Sequence, residues 1–121
     1  MDQIFDCIYR ALIPRVIGLT PSDIRTLFDG WEFIKVTRKD VLVGVILRKQ
    51  TELHIIIDPK YQTTICFLHQ SKKIIADTIA KYGYAETKVV LSYDVGHRLA
   101  KMLGFKQTDI GDYMVQYEKR N

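Results

Sequence analysis

Residues 51–82, TELHIIIDPKYQTTICFLHQSKKIIADTIAKY, constrain the fold more than any other stretch of the chain. The apolar run through Leu53, Ile55, Ile56 and Ile57 predicts a strand, and Asp58 with Pro59 then forces a turn. From residue 65 onward Leu68, Ile75, Ile79 and Tyr82 fall on one helical face. Lys72, Lys73, Asp77 and Lys81 fall elsewhere, and Gly83 supplies the stop. A strand that turns directly into a helix presents unpaired N–H groups at the helix N-terminus, where a phosphate can dock. A binding function is expected there first.

The rest of the chain supplies partners for this strand, turn and helix. Ile4, Phe5, Ile8, Tyr9, Leu12 and Ile13 recur at spacings of three and four, which predicts a helix over residues 3–13 that Pro14 ends. Thr20, Pro21 and Asp23 offer an N-cap, a first-turn proline and a first-turn acid for a short helix closed by Gly30. Trp31, Phe33, Ile34 and Val36 form a partly exposed strand with a one-residue slip, followed by a polar turn at 37–40. The run VLVGVIL at 41–47 is a strand covered on both faces, in which Gly44 marks a bulge or a close approach. Residues 48–50 turn the chain back into an antiparallel meander. Beyond the long helix lie a strand at 87–91 and a helix capped by Asp94, with Val95, Leu99, Met102 and Leu103 facing inward. A last strand at 113–117 precedes a charged tail, 118–121. A long helix between two strands demands a crossover, so the expectation is one α/β domain over residues 1–121 with a mixed sheet.

Composition narrows the function classes. The chain has 121 residues, 47% hydrophobic and 26% charged, which suits one domain with an ordinary core. Its longest apolar run, 41–47, is far short of the roughly 20 residues of a membrane helix, so no membrane span is expected. The first residues carry Asp2 and Asp6 and lack the basic lead of a secretory signal, while Cys7 and Cys66 form no CxxC pattern. Both features suit a reducing, cytoplasmic setting. The net charge of +4 comes from scattered Lys and Arg, which predicts a solvated surface and leaves a nucleic-acid-associated modifier as the last of the alternatives. His54, His69 and His97 lack metal-ligand spacing, so no metal site is expected, and His97 is assigned to the exposed side of the last helix. Cys66 and His69 have the spacing of a nucleophilic dyad but no third orienting group, and they read as a structural cysteine beside an exposed histidine.

The order of a strand, Asp58-Pro59-Lys60-Tyr61-Gln62, a helix, a strand and then LSYDVGHRLAKMLGF at 91–105 resembles the GCN5-related N-acetyltransferase (GNAT) superfamily, over about residues 32–117. The resemblance implies an acyl-coenzyme A N-acyltransferase fold, acetyl-CoA or another acyl-CoA as cofactor, and an amine as acceptor. In that superfamily the loop after the strand presents backbone amides to the cofactor pyrophosphate. Its signature is Arg or Gln, two residues, Gly, one residue, then Gly or Ala. Here Ile57 closes the strand and Gln62 takes the first position. Thr63, Thr64 and Cys66 fill the intervening positions, while Ile65 and Phe67 stand where the small residues belong. The loop therefore reads as degraded, because β-branched and aromatic side chains narrow or fill such a cradle. The alternative for the same residues is that Thr63 or Thr64 caps a core helix.

Many members place a tyrosine four residues before the glycine of the LGF-type close, where it protonates the departing thiolate. That position is Ala100 here, and Tyr93 is the candidate substitute; otherwise it is an aromatic packed at a strand end. Glu52 and His54, two apart on one strand face, are the candidate general bases, or else that strand's solvent face. The implied function is an acyl-CoA dependent N-acetyltransferase with a degraded pyrophosphate loop. The alternative is a pseudoenzyme, a noncatalytic structural or protein-interaction protein that keeps the fold, as in compact, glycine-poor proteins of tailed phages. A protein partner then replaces the cofactor, and the setting is the host cytoplasm or the virion.

Overall fold

A computed structural model describes residues 2–12, 20–61 and 67–120. In chain order the described elements are α1 (Asp2–Leu12), α2 (Pro21–Leu27), β1 (Glu32–Arg38), β2 (Val41–Lys49), β3 (Glu52–Ile57), a 3-10 turn (Pro59–Tyr61), α3 (Phe67–Tyr82), β4 (Tyr84–Val90), α4 (Asp94–Met102), β5 (Lys106–Ile110) and β6 (Met114–Arg120). The strands form one mixed sheet in the order β1-β2-β3-β4-β6-β5. β3 runs parallel to β4, as the intervening helix requires, while β1 with β2, β4 with β6 and β5 with β6 are antiparallel. Residues group into two compact units, 1–49 with 55–70, and 50–54 with 71–121.

In the first unit Ile4 and Ile8 of the stripe predicted for α1 are buried and Tyr9 packs against them, while Cys7 and Ala11, which that stripe did not include, complete the cluster with Val45, Leu47 and Ile56. The N-terminus of α2 is a reciprocal cap, in which Thr20 N–H donates to Asp23 Oδ2 at 2.9 Å and Asp23 N–H donates to Thr20 Oγ1 at 3.3 Å. β1 is longer than its sequence pattern suggests. Lys39 and Asp40 adopt φ of 50° and 67°, so a two-residue turn replaces the four-residue one and the strand runs on to Arg38. At its other end Glu32 lies opposite Arg48, whose Nε and Nη2 donate to Glu32 Oε1 at 3.1 and 3.0 Å.

Gly44 shows both features expected of it. The register slips beside it, from Val36↔Gly44 to Thr37↔Leu42, and a Cβ built at Gly44 would lie 2.6 Å from the Ile56 carbonyl oxygen. Beyond Ile57, Asp58 N–H donates to the Val43 carbonyl at 2.9 Å, and the Asp58 side chain turns inward to only 2% exposure. Its Oδ2 accepts from Arg10 Nη2 at 2.6 Å and Nε at 3.2 Å, and its Oδ1 accepts from Lys60 N–H at 3.2 Å. Burial pushes the Asp58 pKa up, but the Arg10 hydrogen bonds and the Lys60 N–H outweigh it and hold the carboxyl below the usual carboxylate range. Cys7, one turn before Arg10, is fully buried, and burial with the Asp58 charge pushes its thiol up to about 11.

The second unit departs from expectation in three places. β5, with sequence KQTDI, is an edge strand exposed at every position, so it carries no apolar alternation from which a strand could be read. The segment expected to be a charged tail continues β6, with Tyr84↔Arg120 and Glu86↔Glu118 in register and the Arg120 guanidinium 4.6 Å from the Tyr84 ring centroid. In α4 the N-cap is Tyr93, with Asp94 as first-turn acid, and Gly96 and Ala100 are buried where Val95 and Met102 were expected to be. Small residues carry the inner face because the helix approaches the sheet closely: a Cβ on Gly96 would lie 2.7 Å from Val89 Cγ1.

Two outcomes follow from the first unit. Gly44→Ala lowers the unfolding free energy by about 2 kcal/mol or more, since the obstructing atom is backbone, and urea denaturation measures it. Asp58 has a folded pKa below its unfolded value of about 3.9, so its contribution is complete above that value and is lost as the pH falls through the folded one. Asp58→Asn therefore flattens the acid limb of a stability against pH curve while lowering stability at neutral pH.

Candidate active site

The site is built on the first half of β3 and its parallel neighbour. Glu52 stands opposite Glu86, and side chains of paired residues share a face, as do residues two apart. One face of the sheet therefore carries Glu52, His54 and Glu86, together with Gln116 and Glu118 from β6. His54 Nε2 lies 2.6 Å from Glu52 Oε2, and the two side chains are 27% and 28% exposed. They are thus half-buried and joined to each other. A carboxylate only accepts, so His54 Nε2–H donates the hydrogen bond to Glu52.

Glu86 was not singled out in the sequence, and it anchors this face. Thr51 Oγ1 donates to its Oε2 at 2.5 Å and Gln116 Nε2 donates to its Oε1 at 3.0 Å, so both oxygens are engaged. The alternation of Ala85, Thr87 and Val89 with Glu86 and Lys88 places Glu86 on the polar side of a strand. Its pairing with Glu52 depends on a parallel register that the sequence does not encode locally.

The opposite face carries Leu53, Ala85, Val89, Val115 and Tyr117, all buried, and α4 packs there. Tyr93 sits at the junction of β4 and α4, with its N–H donating to Val90 O at 2.9 Å and its carbonyl accepting from His97 N–H at 3.3 Å. A Cβ on Gly96 would fall 2.6 Å from Tyr93 Cδ2, so the absence of a side chain at 96 is what seats the ring. His97 is not the exposed residue expected. Its Nε2–H donates to the carbonyls of Val90 and Leu91 at 3.0 and 3.1 Å, and Nδ1 lies 2.8 Å from the hydroxyl of buried Tyr117. The i to i+4 spacing from Tyr93 could have suggested that it shares the inner side of the helix.

The structure thus brings Glu52 and His54 together and places Tyr93 on the other face of the sheet. Ile57 is buried at the end of β3, with its Cδ1 3.2 Å from the position of a Gly44 Cβ. Gln62, Thr63, Thr64, Ile65 and Cys66 lie outside the described residues, as does the Cys66 half of the imagined dyad, whereas Phe67 is the first residue of α3. His69 is exposed. Among the described residues, no group of three or more His, Cys, Asp or Glu side chains could hold a metal ion. No described helix is long and apolar enough to cross a membrane.

No family model matches the chain, and no curated protein matches it in sequence. Solved structures do match. PH1933 of Pyrococcus horikoshii OT3 is similar over 99% of this chain and 89% of its own, with a TM-score of 0.77 at 18% identity. An acetyltransferase of the GNAT family from Bacillus anthracis is similar over 98% of this chain and 87% of its own, with a TM-score of 0.76 at 12% identity. The fold is the GNAT acetyltransferase fold. A third similar structure is yncA of Salmonella typhimurium, solved with its cofactor acetyl-CoA, which covers 93% of this chain and 84% of its own, with a TM-score of 0.69 at 12% identity. At such identities the GNAT likeness carries the architecture, and residue roles rest on the geometry of this chain.

Gly96→Ala is expected to cost about 1–3 kcal/mol through overpacking and to displace the Tyr93 ring. Urea denaturation measures the first effect, and a shift of the Tyr93 ring resonances in an aromatic NMR spectrum measures the second.

Proposed function

We propose that this chain is an acyl-CoA dependent N-acetyltransferase that passes an acetyl group to an amine. The observation that carries the reading is the Glu52–His54 pair, joined at 2.6 Å on a strand of a GNAT fold. It is supported by a structural neighbour solved with acetyl-CoA.

Such a cofactor would lie at the start of α3. The described part of this helix begins at Phe67, the last position of the superfamily's pyrophosphate signature, and a helix N-terminus favours an anion. Backbone amides between Gln62 and Phe67 would hold the pyrophosphate, in a loop degraded at Ile65 and Phe67 relative to the superfamily signature. The bound thioester supplies an activated acetyl carbonyl. The Glu52–His54 pair assists removal of the proton that the acceptor ammonium must lose, and the Nε2–H bond to Glu52 orients the His54 ring. Tyr93 Oη supplies a proton to the leaving group from the other side of β4.

Calorimetric titration with acetyl-CoA is expected to show binding at millimolar ligand or below, and its absence sinks the enzyme reading. In thiol-release assays with amine acceptors, His54→Asn is expected to reduce kcat by about 10²–10⁴-fold, the range of general base catalysis, with acetyl-CoA affinity retained.

A second reading, a noncatalytic protein-interaction role, is favoured by one observation. Tyr113 is 82% exposed, and the register sets it beside exposed Val90, Leu91 and Met114.

A further inference from the structure

The face of the sheet that carries the Glu52–His54 pair changes character along β4. Paired residues and residues two apart share a face, so Glu86, Lys88 and Val90 follow one another on it, with Glu118, Gln116 and Met114 of β6 directly opposite. Acid faces acid at Glu86↔Glu118, Lys88 faces Gln116, and Val90 faces Met114. The acidic end lies beside Glu52, and the apolar end lies at the close of the strand.

A large apolar residue in solvent is ordinary when it stands alone and informative when it has neighbours of its kind. Val90 and Met114 are 42% and 46% exposed as a directly opposed pair. Leu91 N–H donates to the Tyr113 carbonyl at 2.9 Å, which brings Tyr113, 82% exposed, to the end of the same strands. β3 and β4 run parallel, so His54 and Val90 lie two and four residues on from the Glu52↔Glu86 pair in one direction, about 7 and 13 Å at the rise of a strand. The apolar pair therefore begins one short tether, about 7 Å along the strands, beyond the level of His54.

Lys88 stands between the two ends and is exposed. Its methylene stem continues the apolar strip, while its ammonium repels a second positive charge on anything that lies along β4. Amines differ in what the nitrogen is attached to, and this face fits an apolar body and opposes a second cation.

We infer that the acceptor is a primary monoamine with an apolar, ring-sized body, which Val90 and Met114 select, and that Lys88 turns away diamines. The inference rests on the N-acetyltransferase reading above and names its substrate class. The amine nitrogen bonds to the acyl carbon as the carbon–sulfur bond breaks. Its ammonium proton is lost with the help of the Glu52–His54 pair, the sulfur leaves as the free thiol, and the product is an uncharged amide.

The test measures kcat/KM by thiol release from acetyl-CoA with phenethylamine, ethanolamine and putrescine as acceptors. The native chain is compared with Val90→Ser, Met114→Ser and Lys88→Gln, all at exposed positions, with folding checked by circular dichroism. The native chain is expected to prefer phenethylamine over the other two by about 10- to 100-fold, the scale of discrimination that apolar contacts supply. Each serine variant lowers the phenethylamine to ethanolamine ratio by about tenfold, mainly through a raised KM. Lys88→Gln raises the putrescine to ethanolamine ratio by about threefold, the scale of one exposed charge interaction. A merely structural loss would lower every rate together and leave these ratios unmoved. Preference for putrescine or ethanolamine, or an unmoved phenethylamine ratio in both serine variants, overturns the inference and leaves the acetyltransferase reading standing. Acetyl-CoA binding without transfer to any of the three amines does the same. A native chain that neither transfers nor binds acetyl-CoA overturns both. Should one serine variant fail to fold, the other supplies the same comparison.

Discussion

A carboxylate can be buried at the end of a strand only if cations and N–H groups are brought to it. That requirement organises the first compact unit. Asp58 is satisfied by Arg10 and by the Lys60 amide, so α1 lies where its last turn faces the end of β3. The helix meets this condition with the same register that buries Cys7 and Ala11, the residues three before and one after Arg10. The close approach of Ile56 to Gly44 fulfils a related requirement. A side chain at residue 44 would collide with the Ile56 carbonyl, two residues before Asp58.

The parts of the fold legible in the sequence are those in which burial leaves a period. Ile4 and Ile8 of α1, the continuous run of β2 and the apolar end of β3 are large residues that are buried, so spacing alone revealed them, whereas the small Cys7 and Ala11 completed the α1 face unread. β5 was illegible because an exposed edge strand buries nothing, and its existence depends on hydrogen bonds to β6. The inner face of α4 was misread for the opposite reason. Gly96 and Ala100 are buried because they are small, whereas the large Val95 and Met102 remain in solvent. A pattern reading that weighs only large apolar residues turns such a helix around.

The candidate site divides in the same way. Alternation along one strand was enough to put Glu52 and His54 on one face, and the 2.6 Å contact follows from that placement. Glu86 and Gln116 were missed because they join this face through register, which is a property of strand pairs. His97 was assigned to solvent because nothing near it in sequence shows that Tyr117, twenty residues away, ends beside it. Buried polar networks of this kind are set by tertiary contacts, and each member looks like an ordinary surface residue when read alone.

β4 separates the residues assigned to the two proton transfers of the proposed reaction. Successive side chains on a strand point to opposite faces, so Glu86 stands with Glu52 and His54, while Val89 stands with Gly96 and the Tyr93 ring. In the proposed reaction one proton must leave the attacking nitrogen and another must reach the leaving sulfur. A base and an acid on the same face would neutralise each other if they touched, as a joined acid–base pair does. Setting them on opposite sides of one strand keeps the two groups apart and holds their separation fixed. His97 reinforces this by tying the carbonyls of Val90 and Leu91, the last turn of chain before Tyr93, to α4 and through Tyr117 to β6. The position of the proposed acid is therefore determined by the sheet itself.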